Sequence, residues 1–348
     1  MTAGGALTGQ ATTAGRRAAR VAPPPDLRAT LRRPGGRLAA SPIGTVPILW
    51  NNVDLADLPH GTDATTILDE MARLGFDGTQ LGIGYPTGPA LRSALATRGL
   101  RLAEVYASLP ATVDGPTPDA LAIGRERLAL LTAGGGEVLC VALDLSPDRE
   151  RTAGRAAARG TPVLTDDGWT SLVDVLHDLA RDVSAAGARF AFHPHAGTFV
   201  ETPAEVARLV ASTDPALVPL CLDVGHYLVG GGDPVDALRR YGSRVTHVHL
   251  KDVDGAVLAG LRDGRLAGFD DAVRARLFTE LGAGVLDVDG VIDALDARGY
   301  DGWLMVEQDS CWGPPSESAA IGRRVLAAAL HRSRAGDPAV TTHDEEST

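Results

Sequence analysis

Four short apolar runs in the second half of the chain each stop where metal-binding side chains begin. They read Phe190-Ala-Phe-His-Pro-His195, Leu220-Cys-Leu-Asp-Val-Gly-His226, Val245-Thr-His-Val-His-Leu-Lys-Asp252 and Trp303-Leu-Met-Val-Glu-Gln-Asp309. Ahead of them, apolar runs at 45–50, 78–83, 102–107 and 138–143 alternate with stretches of helical spacing at 63–74, 89–98, 118–132 and 169–186. The later runs are separated by helical patterns at 203–211, 234–241 and 288–298, and a last one follows at 317–330. Strands alternating with helices of this length predict βαβ units and a parallel sheet. Eight repeats predict closure into an α/β (β/α)8 TIM barrel. The competing doubly wound sheet usually carries a Gly-rich turn after its first strand, and Trp50-Asn-Asn-Val53 has none.

A parallel barrel gathers the C-terminal ends of its strands on one face. His193, Asp223, His249 and Glu307 are therefore expected around one shared divalent cation. Two imidazoles and two carboxylates suit Mn²⁺ or Co²⁺, with Mg²⁺, Fe²⁺ and Zn²⁺ as further options, better than Ca²⁺. Each residue also has a plainer reading, such as Asp223 capping the next turn. Side chains alternate along a strand, so His247, His249 and Lys251 share a face, with His247 deepest. Lys251 is the only lysine among 33 basic residues. An amine there can lose its proton when desolvated, which a guanidinium effectively cannot. Asp252 is expected to support His249 or Lys251, or to meet substrate. His226 and His195 are candidate proton carriers. Trp50, Asn51 and Asn52 at the end of the first run, with Gln80 and Tyr106, are candidate contacts for a small polyol or keto-sugar.

The 348 residues, 44% hydrophobic, suffice for one large domain. Residues 1–40, Arg-rich with Asp26 as their only acid, are expected to be a disordered extension, 41–332 the barrel, and 333–348 a loose tail. A net charge of −11 disfavours a nucleic-acid partner. No apolar run is long enough for a membrane span. Three cysteines (Cys140, Cys221, Cys311) make no disulfide framework and fit reduced thiols of a cytoplasmic protein. A homo-oligomer, dimer or tetramer, stays open, and no nucleotide cofactor is expected. Two segments, 144–168 and 253–287, exceed ordinary βα loops and are expected to shape the site.

The chain resembles the xylose-isomerase-like TIM-barrel superfamily, and within it the inosose dehydratase branch. The matching pieces are Pro47-Ile-Leu-Trp-Asn-Asn52, Phe76-Asp-Gly-Thr79, His193-Pro-His-Ala-Gly-Thr198, Asp223-Val-Gly-His226, His249-Leu-Lys-Asp252, Leu281-Gly-Ala-Gly284 and Gly299-Tyr-Asp-Gly-Trp-Leu-Met-Val-Glu-Gln-Asp309. They span roughly 44–332. The resemblance implies metal ligands at Asp223, His249 and Glu307, with His226 near substrate. It implies a metal-dependent lyase of inositol catabolism, removing water from a keto-polyol such as 2-keto-myo-inositol. Glu307 or Lys251 would be the base, and His226 or His195 the acid. Sugar epimerases of the superfamily carry a glutamate where this chain has His193. That breaks their symmetric carboxylate pair and leaves open whether His193 meets metal or substrate. An isomerase or 3-epimerase, an enzyme eliminating from 3-keto-glycosides, and a non-catalytic sugar-binding relative are the alternatives.

Overall fold

The computed structural model of the chain describes residues 26–28, 31, 37–53, 55, 57–58 and 60–335. Eight parallel strands close into a barrel: β1 (Ile43–Thr45), β2 (Gly78–Gln80), β3 (Arg101–Leu109), β4 (Val138–Leu143), β5 (Arg189–Phe192), β6 (Leu220–Asp223), β7 (Val245–Leu250) and β8 (Leu304–Val306). Each pairs with its sequence neighbours, and β8 returns to β1. The helices around it are α1 (Ala64–Arg73), α2 (Gly88–Ala96), α3 (Ala120–Gly134), α4 (Asp166–Ala185), α5 (Pro203–Ser212), α6 (Pro234–Tyr241), α7 (Val288–Ala297) and α8 (Pro315–Ala335). Asp63 caps α1 through Thr66 N, and Thr202 with Glu205 forms a capping box on α5. Among the described residues, no helix is long and apolar enough to cross a membrane.

The first apolar run is a strand only to Thr45; from Pro47 to Leu49 it turns into a 3-10 helix. Pro47 has no N–H to give to the ladder, so Trp50, Asn51 and Asn52 leave the barrel wall. Residues 1–25, 29–30, 32–36 and 336–348 of the expected termini lie outside the described residues, and α8 runs on to Ala335, three residues into the expected tail. Leu27 and Leu38, within the first 40, are buried in the core.

The lower barrel interior is filled by Ala103, Val138, Cys140, Ala191, Cys221, Trp303 and Met305. Gly78 is dictated by this packing, because a Cβ there would sit 2.7 Å from Arg101 O and against the Trp303 ring. All three cysteines are free and buried. The site lies above this plug, at the strand ends.

Candidate active site

Strand register brings the site together. His249 on β7 pairs with Asp223 on β6 and with Met305 on β8, two residues before Glu307. His193 follows β5, its N–H held by Val141 O at 2.7 Å. Asp223 Oδ2 is 3.6 Å from His193 Nε2 and 3.9 Å from His249 Nδ1, which is 2.6 Å from Glu307 Oε2. Donors bound at about 2.0–2.2 Å to one ion stand about 3–3.5 Å from one another; the spacings here, 2.6, 3.6 and 3.9 Å, bracket that range, so side-chain shifts of a few tenths of an ångström would bring them to it. His193, Asp223 and His249 form a buried triplet able to hold one. Asp223 Oδ2 is buried with no close hydrogen bond of its own and faces Lys251 Nζ at 3.4 Å, while His249 Nδ1 and Glu307 Oε2 face one another at 2.6 Å, the separation of a shared proton. Acceptors crowded this closely away from water need a positive charge, proton or cation, among them. The residues present therefore fit a divalent cation. Asp223 does cap the next turn, but through its other oxygen, which accepts from His226 N at 2.8 Å.

Lys251 sits beside this cluster, its Nζ 2.6 Å from Asp309 Oδ1, 3.1 Å from Glu307 Oε1 and 3.4 Å from Asp223 Oδ2. Burial opposes its charge, but the three carboxylates outweigh burial and hold the ammonium well above the ordinary lysine range. The three carboxylates thus favour the ammonium over the free amine. Lys251 also donates to His226 Nε2 at 3.0 Å. His195 lies on His226, ring centroids 3.7 Å apart. Its Nδ1 faces Ala196 O at 2.7 Å, and burial together with nearby His193 lowers its pKa to about 3. A neutral ring whose Nδ1–H is spent on a carbonyl leaves Nε2 as an acceptor, which suits His195 to hold a hydroxyl. Burial, followed by His195, likewise keeps His226 neutral.

The four cation candidates, Lys251, His195 and His226 meet in one place, and Asn51, Gln80 and Tyr106 join them on the wall of a cavity of about 320 Å³. Asp223 lies just beneath it, fully buried. Asn51 spends its amide on Thr62, accepting from its N and donating to its O. Three expected contacts are elsewhere. Trp50 is buried and donates to Glu70. Asn52 donates to Asp309 O and accepts from Leu55 N, bracing a loop. Asp252 neither meets the cavity nor supports His249 or Lys251: its oxygens accept from Val253, Gly282, Gly284 and Leu286 N–H at 2.8–3.0 Å. That explains Leu281-Gly-Ala-Gly284, since a Cβ at Gly284 would collide with the Asp252 carboxylate. The 253–287 segment also sets Phe278 against Lys251 (4.7 Å) and His226, and Phe269 against His195.

Two acids belong to the site that the sequence reading passed over. Asp309 lines the cavity against Lys251, and burial pushes its carboxyl up to about 7 despite that ammonium. Glu104, on β3, accepts from His247 Nε2 at 2.6 Å and His249 Nε2 at 3.0 Å. Asp309 was signalled by the Glu-Gln-Asp ending of the last run. Glu104 was signalled only by an acid inside an apolar run.

The model of the xylose isomerase-like TIM barrel matches residues 68–329. The chain belongs to this family. It is 34% identical over 292 residues to an inosose dehydratase of Geobacillus thermodenitrificans, covering 82% of this chain and 95% of the relative. It is 32% identical over 287 residues to inosose dehydratase 1 of Bacillus cereus, with the same coverage of 82% and 95%. An L-ribulose 3-epimerase structure superposes with a TM-score of 0.65 at 19% identity, covering 88% of this xylose isomerase-like chain and 100% of its own. That likeness is one of fold.

Proposed function

We propose that this chain is a divalent-cation-dependent dehydratase that removes water from a cyclic keto-polyol such as 2-keto-myo-inositol. The observation that carries the reading is the convergence of His193, Asp223, His249 and Glu307 with the buried ammonium of Lys251. Relatives named inosose dehydratase support the substrate class. A cavity of about 320 Å³ lies at the small end of the ~300–1,000 Å³ range of ligand pockets. Mn²⁺ or Co²⁺ matches the mixed nitrogen and oxygen donors.

When bound, the cation supplies a Lewis acid for the charge that builds on the ketone oxygen. Glu307 takes the proton from the carbon beside the ketone. The electron pair of that C–H bond forms a carbon–carbon double bond, and the bond to the neighbouring hydroxyl breaks. Lys251 donates a proton to the departing hydroxyl, which leaves as water. The 3.1 Å contact between Lys251 Nζ and Glu307 Oε1 lets the abstracted proton return to the amine, closing the cycle. His195 Nε2 accepts from a substrate hydroxyl and so orients the ring.

The test is to load the purified chain with Mn²⁺ or Co²⁺, add 2-keto-myo-inositol, and follow the absorbance of the unsaturated ketone. Product formation that chelator abolishes is expected. Exchange of the carbon-bound proton with solvent and no loss of water would show an isomerase or epimerase instead. Substrate binding with no turnover under any cation would show a binding protein.

A further inference from the structure

Strands β3 and β7 lie four apart in a closed barrel of eight and so face each other across its interior. Glu104 reaches from one wall to His247 and His249 on the other. Its carboxylate is fully buried just above the apolar layer of Ala103, Cys140, Cys221 and Met305. An aliphatic side chain would fill that space without the desolvation cost of a buried ion, several kcal/mol by order of magnitude. Packing alone gives no reason for an acid here.

We infer that Glu104 is a positioning residue for the cation site, accepting hydrogen bonds from the Nε2–H groups of His247 and His249 and so reserving His249 Nδ1 for the donor set beside Asp223 and Glu307. This rests on the cation reading of the site given above. The geometry is direct. The two nitrogens of an imidazole point to opposite sides of the ring. With Nε2 anchored 3.0 Å from Glu104 Oε2, Nδ1 faces Glu307 Oε2 at 2.6 Å, a spacing that holds a proton, and a bound cation would take that proton's place. A ring without an acceptor at Nε2 is free to carry its proton on Nδ1, which blocks the lone pair. Ligating histidines commonly donate their second N–H to a carboxylate, which fixes the tautomer. His247 is fully buried and not on the wall of the site's cavity; its 2.6 Å bond to the same oxygen holds the carboxylate in place. Glu104 also adds a negative charge directly behind the donor set, which a glutamine of the same shape would not.

The experiment compares full-length wild type with Glu104→Gln and Glu104→Leu. Co²⁺ affinity is measured by chelator competition, and the ring N–H protons of His247 and His249 are followed by NMR with and without diamagnetic Zn²⁺. Wild type should show hydrogen-bonded Nε2–H signals from both rings in either state. Glu104→Gln should bind Co²⁺ about 10–100-fold more weakly, with at least one of those signals shifted or lost to exchange. Its thermal unfolding reports whether the fold survives, and Glu104→Leu keeps the layer filled if the amide is not tolerated. Wild-type affinity together with unchanged ring signals would overturn the inference. If wild type itself binds no divalent ion, the cation reading fails. The ring signals then decide separately: a change in Glu104→Gln supports the tautomer role, and an unchanged pattern removes it.

Discussion

Lys251 Nζ stands 3.1 Å from Glu307 Oε1, and its other anionic neighbours are Asp309 at 2.6 Å and Asp223 at 3.4 Å. One ammonium thus faces three carboxylates, two of which also face the cation position. In the proposed reaction the only lysine of the chain is the proton donor rather than the base.

Lys251→Met should lower kcat by about 10²–10⁴-fold, the usual contribution of a positioned acid. Lys251→Arg should fare little better, because guanidinium does not give up its proton. Steady-state kinetics on protein matched for metal content checks this. An arginine variant with wild-type kcat would remove proton transfer from the role of residue 251.

Glu307→Gln should abolish turnover and also weaken metal binding, since Oε2 is placed as a donor and Oε1 as the partner of Lys251. Asp309→Asn should be milder in metal affinity, because Asp309 touches the amine and not the donor cluster. Metal content by elemental analysis, read beside kcat, separates the two.

Asp252→Ala should act on stability. It strips four backbone N–H groups of their acceptor, and buried donors left unpaired cost about 1–3 kcal/mol each before relaxation. A loss of about 3 kcal/mol or more is expected in urea unfolding, with the KM of any surviving native protein little changed. A normal unfolding midpoint with a raised KM would instead return Asp252 to the substrate.

Glu201 gives a pH prediction away from the cation site. It accepts from Gly154 N and Gly197 N at 2.7 Å, tying the 144–168 segment to the turn after His195. Burial raises its pKa from 4.5 to about 7, against Arg149 on the one hand and with Glu205 on the other. The folded state therefore holds this proton more tightly than the unfolded chain. Its stabilising contribution is complete below about pH 4.5 and is lost as pH rises toward 7, at up to about 1.4 kcal/mol per pH unit. The stability of wild type minus that of Glu201→Gln should fall across this window. A flat difference would show that Glu201 ionises normally.

Much of this was readable in the chain because barrel strands are buried on both faces and end abruptly in function. The runs carrying His193, Asp223, His249 and Glu307 announce themselves by that contrast. Period-two alternation placed His247 beneath His249. Other features depend on contacts between distant segments. Nothing local distinguishes Asp252, which turns to a loop 30 residues later, from Asp309, which turns to the cavity. Glu104 looks like any acid in a strand until β7 is seen opposite it. The charge state of Lys251 follows from three carboxylates on β6 and after β8. Trp50 and Asn52 were misplaced because Pro47 ends the first strand early.

The proposed reaction requires one divalent cation held by His193, Asp223, His249 and Glu307. A crystal structure of the chain soaked with Mn²⁺, with anomalous data, tests it most directly. A single strong peak is expected at about 2.0–2.2 Å from a His193 nitrogen, Asp223 Oδ2, His249 Nδ1 and Glu307 Oε2. A peak bound by other residues, or none at this cluster with Mn²⁺ in excess, would contradict it.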